Sequence, residues 1–212
     1  MRSSSALEAA VAGGAGVVAI WLAVVYSPAA TGLDERIGAW TQGRLVADGL
    51  MARVTDLGAS PVALAVCAAV AVLALWRREF LVAAYVMAVP LGAMAAYTAV
   101  KHLTDRERPT LNPAAAELNS AFPSGHSAMA AAAYSAVAVA VILVAPGLTR
   151  RGARSLGAAA AAIATAVAAT RVLLGLHWFS DVIAGLVLGW TWWAVCTIAF
   201  LDARGRVRGA SD

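Results

Sequence analysis

Three short groups of residues in this chain of 212 have the types and spacing that could bind and cleave a phosphate ester. The first is Lys101-x6-Arg108-Pro109. A lysine ammonium is a compact point charge and an arginine guanidinium is a planar fork that grips two phosphate oxygens, so the pair is complementary. Lys101 is also the only lysine among sixteen basic residues. Alone, such a pair at a helix end also reads as a lipid-headgroup anchor. The second group is Pro123-Ser124-Gly125-His126, ahead of an apolar run. Ser124 suits a helix N-cap, Gly125 lets backbone come close to a ligand, and free first-turn N–H groups attract an anion. Capping does not call for a histidine, and His126 titrates where a proton donor is useful. The third group is Arg171-x5-His177-x3-Asp181. One helical turn would bring the Asp181 carboxylate to the His177 ring, holding one ring nitrogen's hydrogen and leaving the other free to attack. Zinc ligation is the rival reading, but no cysteine lies nearby and Lys101, Arg108 and Arg171 would repel a cation, so no metal is expected.

The elements that must position these groups are membrane spans. The chain is 61% hydrophobic and only 13% charged, against about 25% charged in soluble domains. The expected fold is all-α, a six-transmembrane-helix bundle forming one membrane domain over 1–212. Its spans fall at about 9–26, 57–76, 80–100, 127–144, 156–176 and 182–201. Ser60-Pro61, Arg77-Arg78 and Pro146-Gly147 mark span ends, and Pro90 is expected to kink the third span.

Six spans put both termini on one side. That side carries nine basic residues, with clusters at Arg77, Arg150 and Arg204, and the other side carries seven. With acids counted the sides net +5 and −1. The clusters read as cytoplasmic, which sends all three chemical groups to the outer, periplasmic face of the plasma membrane. The first span is read as retained rather than cleaved as a signal peptide, since its apolar stretch is long and Glu8 weakens a basic leader.

Scattered arginines argue against nucleic acid as a partner despite the net charge of +4. Cys67 and Cys196 lie in apolar runs and read as buried packing residues, not a disulfide. Ile37, Trp40, Leu50, Met51, Val54 and Leu57 follow helical spacing within 34–56. This segment suits either an interfacial helix flanking a lipid's approach or a connecting helix packed on the bundle. Alanine richness reads as compositional, Gly185-x3-Gly189 as close helix packing, and His102, Asp105, Arg106 and Glu107 as a solvated loop.

Together the groups resemble the three-part signature of the type-2 phosphatidate phosphatase superfamily, which includes lipid phosphate phosphatases, undecaprenyl-diphosphate phosphatases, acid phosphatases and vanadium haloperoxidases. The matching residues are Lys101-x6-Arg108-Pro109, Pro123-Ser124-Gly125-His126 and Thr170-Arg171-x5-His177-x3-Asp181, in family order over about 80 residues. Thr170 stands where the pattern has serine and keeps the hydroxyl.

The resemblance implies that His177 attacks phosphorus to form a phosphohistidine, that Asp181 orients it and that His126 protonates the leaving oxygen. It further implies that Lys101, Arg108, Ser124, Gly125 and Arg171 hold the phosphoryl oxygens, with no metal or cofactor. The substrate expected is a membrane lipid phosphate. A polyprenyl diphosphate such as undecaprenyl diphosphate, recycled for the bacterial cell wall, comes first, and phosphatidate or phosphatidylglycerol phosphate next. A phosphotransferase using the same phosphohistidine is one alternative. A transporter is another, less suited because the charges lie at the ends of the spans and not at midplane.

Overall fold

The computed structural model describes residues 2–42, 49–112, 120–145 and 147–209. Pro146, read in the sequence as marking a span end, lies outside them. Eight helices are described: α1 (Arg2–Tyr26), α2 (Pro28–Gln42), α3 (Gly49–Asp56), α4 (Ser60–Trp76), α5 (Phe80–Thr104), α6 (Gly125–Val144), α7 (Arg150–Leu173) and α8 (Phe179–Gly209). There is no strand among the described residues. Five helices are long and apolar enough to cross a membrane, and six if α3 and α4, bent by 55° at their junction, count as one span. The fold is the expected all-α membrane bundle.

Helix α6 is its axis. Ala128, Ala130, Ala131, Ala132, Ala136 and Ala140 are fully buried along it, and α4, α5, α7 and α8 pack around it. With methyl side chains on α6, neighbouring backbones come close, and dispersion contacts between them replace the hydrophobic drive that lipid cannot supply. The alanines are thus a packing device, not a compositional accident. The closest approach is to α8: a Cβ on Gly185 would run into the Ser124 carbonyl, and one on Gly189 into the Ala128 carbonyl. Helix α1 lies along α8, and α3 lies on α7.

Three boundaries differ from the sequence reading. Helix α5 continues through Pro90 to Thr104, so Lys101 stands on its last turns and not in a loop. The segment expected to hold one interfacial helix within 34–56 holds α2, which begins at Pro28, and the short α3. Trp40 and Leu50 are largely exposed there while Asp34 is buried, so its apolar stripe does not all face the bundle. Helix α8 has 31 residues, about 46 Å at 1.5 Å per residue, and outruns a hydrocarbon core of roughly 30 Å.

At the end bearing the termini, Arg204 pairs with Glu79 at 3.1 Å, and Arg77 donates to the Val144 carbonyl at 3.0 Å. Cys67 is buried as expected, but Cys196 is only half-buried, because α8 faces lipid over part of its length.

Candidate active site

The three groups from the sequence converge at the opposite end of the bundle. Ser124 is fully buried and caps α6, its Oγ accepting from the Ser127 N–H and from the Ser127 hydroxyl. The first-turn amides of α6, starting at Gly125, have no carbonyl four residues back and carry the positive end of the helix dipole. Gly125 sits against the Tyr97 ring, where a Cβ would stand 3.0 Å from a ring carbon. The Ser124 N–H donates to the Asp181 carbonyl at 2.9 Å, which ties the start of α6 to the start of α8. His126 lies in the first turn of α6, with Arg171, Arg108 and Lys101 as its charged neighbours and His177 close by.

The cations come from three elements. Lys101, on the last turns of α5, donates to the Ser120 carbonyl. Arg108 donates to the Leu176 carbonyl at 2.6 Å and reaches the Ser120 carbonyl at 3.5 Å. Arg171, on the last turn of α7, donates to Thr55 of α3 at 3.1 Å, and its buried Nε has no hydrogen-bond partner among the described residues. Lys101 and Arg171 are buried, yet neither has a carboxylate partner among the described ion pairs. Buried cations resting on neutral oxygens retain most of their field for a ligand, and an orphaned guanidinium N–H is a donor awaiting an acceptor.

His177 precedes α8 and is buried. Arg108 approaches its Nε2 at 3.1 Å. A guanidinium only donates, so Nε2 is the bare nitrogen and the hydrogen of the neutral ring sits on Nδ1. That is the tautomer a nucleophile at Nε2 requires. Burial, then Arg108, Arg171 and Lys101, push the His177 pKa well below 6.5, so the ring is neutral at pH 7. Nδ1 lies 3.5 Å from Asp181 Oδ2, short of a hydrogen bond, and has no other partner among the described residues. Asp181 instead accepts from the Trp178 N–H at 2.9 Å through Oδ2 and pairs through Oδ1 with Arg106.

Arg106 corrects the sequence reading. His102, Asp105 and Glu107 are exposed as expected of a solvated loop, but the Arg106 side chain is 12% exposed and bridges Asp181 and Asp34. Thr55, Ser120 and Asp34 also escaped notice. The partners of Thr55 and Asp34 lie far along the chain, and nothing in the local spacing of the three marks them. A cavity of about 310 Å³ borders this network, with Trp21, Val24 and Val25 as an apolar wall and Asp34, Glu35, Arg106 and Glu107 as a charged rim.

A membrane helix bundle that gathers buried cations and a neutral histidine at one end is, by class, a multi-pass membrane phosphatase. The chain belongs to the PAP2 superfamily, whose family model matches residues 79–204. Among solved structures it is similar to the first transmembrane PAP2 type phosphatidylglycerolphosphate phosphatase from Bacillus subtilis. The two are 25% identical, with a TM-score of 0.81 over 92% of this chain and 96% of that one. No curated protein matches the chain.

Proposed function

We propose that the protein hydrolyses a lipid phosphate monoester or diphosphate at the outer face of the plasma membrane through a phosphohistidine on His177, without a metal. The observation that carries this reading is His177 Nε2 lying 3.1 Å from the Arg108 guanidinium, with Lys101 and Arg171 buried at the same end of the bundle. The phosphoryl group takes the place of neutral oxygens on Lys101, Arg108 and Arg171, and the α6 amides at Gly125 add the positive end of a helix. As Arg108 turns from Nε2 to the phosphate, His177 attacks phosphorus and the bond to the lipid oxygen breaks. His126, charged once the bound phosphate's negative charge offsets the cations around it, gives that oxygen its proton. Asp181 accepts a hydrogen bond from Nδ1–H as the ring becomes charged, a contact that tightens from 3.5 Å. Water, deprotonated by His126, then releases phosphate and restores His177. Three fixed cations supply the charge neutralisation that a divalent metal supplies elsewhere.

The apolar wall of Trp21, Val24 and Val25 beside the site supports a lipid over a soluble ester. The similar Bacillus subtilis protein is described as a phosphatidylglycerolphosphate phosphatase, so phosphatidylglycerol phosphate joins polyprenyl diphosphate as a leading candidate, ahead of phosphatidate. The test is phosphate release by purified protein in detergent from each of these three lipids in the presence of EDTA. Release that survives EDTA and disappears in His177→Ala, with an acid-labile, alkali-stable phosphate on the denatured wild-type protein, is the expected result. Undiminished release by His177→Ala would overturn the mechanism. Transfer of phosphate to another alcohol, seen by mass spectrometry of the products, would make the enzyme a phosphotransferase instead.

A further inference from the structure

Arg106 belongs to none of the three groups that carry the chemistry, yet it touches the carboxylate behind the nucleophile. Its NH1 contacts Asp181 Oδ1 and the Ser180 hydroxyl, the latter at 2.8 Å, and its NH2 pairs with Asp34 Oδ2 at 2.7 Å. Asp34, on α2, accepts from the Ser180 N–H at 2.9 Å and from the Ser180 hydroxyl at 2.6 Å, so it caps the first turn of α8 from another helix. Asp34 is 3% exposed and Asp181 fully buried. Two buried carboxylates around one guanidinium are expensive to desolvate, and a stability role alone is a weak reason for such an arrangement.

Two contacts divide the Asp181 carboxylate. Arg106 holds Oδ1 and the Trp178 N–H holds Oδ2, and Oδ2 is the oxygen 3.5 Å from His177 Nδ1. Rotation of the carboxylate about its bond to Cβ would break both. We propose that Arg106 is a positioning residue that fixes which oxygen of Asp181 faces His177. The proposal rests on the phosphohistidine reading for its kinetic consequences but not for its geometry. The charged groups around Asp181 are Arg106 and Arg108 from the segment after α5, Lys101 from α5, His177 ahead of α8, and Asp34 across Arg106 from α2. Without Arg106, Asp181 is a buried carboxylate lacking its nearest cation, an environment that favours the protonated form. A protonated Asp181 no longer favours Nδ1–H on His177.

The test compares Arg106→Gln, Arg106→Lys and Asp34→Asn in detergent, with phosphatidylglycerol phosphate and a polyprenyl diphosphate as probes. In Arg106→Gln, kcat should fall about 10- to 100-fold with KM little changed, and the acid limb of the kcat profile should move up by about one pH unit. Arg106→Lys should recover part of both. Asp34→Asn removes the competing carboxylate and leaves the Arg106–Asp181 pair, so its acid limb should not move up. Wild-type kcat and pH profile in Arg106→Gln would overturn the proposal. So would an Asp34→Asn profile displaced like that of Arg106→Gln, because both would then report only a clip between α2 and α8.

A readout independent of turnover separates this proposal from the proposed function. The chain has three histidines, and imidazole ¹⁵N spectra of histidine-labelled protein, with His177 assigned by its loss in His177→Gln, report the tautomer. The Nδ1–H form should dominate in wild type and Asp34→Asn, and mixed tautomers should appear in Arg106→Gln. An unaltered His177 signal in Arg106→Gln would sink the positioning role even if neither lipid were turned over.

Discussion

Gly185 of α8 lies against the Ser124 carbonyl so closely that a single added methyl would overlap it. This contact sets the depth at which α8 meets the start of α6. One turn earlier on α8, the Asp181 carbonyl accepts the Ser124 N–H at 2.9 Å. The helix whose first-turn amides begin at Gly125 and the helix that carries the Asp181 carboxylate are therefore registered by contacts between backbone atoms, which do not depend on rotamers.

Gly185→Ala should accordingly destabilise the bundle by about 1–3 kcal/mol, the usual range for overpacking a tight interface, and lower activity by displacing Asp181. Gly157→Ala is the control, since nothing lies within 4 Å of a Cβ there, and alanine in a helix is worth up to about 1 kcal/mol over glycine. Thermal unfolding in detergent measures both. Equal melting temperatures for the two variants would show that α6 and α8 are not in the described contact.

Asp181→Asn should retain binding and lose turnover. The amide keeps the shape but cannot stabilise the imidazolium that forms as His177 attacks, and loss of the equivalent group in a catalytic triad lowers kcat by about 10⁴-fold. Steady-state kinetics on phosphatidylglycerol phosphate should show the fall in kcat with KM nearly unchanged. A KM effect alone would make Asp181 a binding residue.

His177 sets a sign for the dependence of stability on pH. Its folded pKa lies well below 6.5, while the unfolded chain's histidine protonates near that value. Unfolding therefore takes up a proton below pH 6.5, and stability falls as pH falls through the unfolded value. The melting temperature of wild type should drop more steeply between about pH 6.5 and 5 than that of His177→Gln. Parallel curves would mean that the folded ring is not held neutral.

Sidedness is open to labelling. In a background with Cys67 and Cys196 replaced, Leu103→Cys sits beside the site at an exposed position, and Phe80→Cys, also exposed, begins the same helix at its other end. A membrane-impermeant maleimide added to intact cells should label position 103, and position 80 only after permeabilisation, as the positive-inside rule requires. The reverse pattern would move the site to the cytoplasmic face.

Much of this protein is legible along the chain because membrane helices announce themselves by length and apolarity, and neither depends on neighbours. Four of the six spans expected at the outset lie within α1, α5, α6 and α8, and a fifth, 156–176, overruns the end of α7 by three residues; the helix ends differ from the expected ones by up to eight residues. The second is the exception: its first residues, Leu57 to Ala59, lie in the 55° bend between α3 and α4. That the eight candidate residues gather at one end of the bundle was likewise legible from type, spacing and span count, since an i,i+4 carboxylate and a histidine after a capping serine are local patterns.

By itself, then, the sequence determined the helices, their alternation and the residue types available for phosphate. The tertiary structure decided which charges are buried and what holds them. Arg106 looks like any loop arginine until α2 brings Asp34 against it from 72 residues away, and Arg171 meets Thr55 across 116 residues. Burial and pairing are properties of whatever covers a side chain, and here the cover comes from helices whose packing no short window of sequence records.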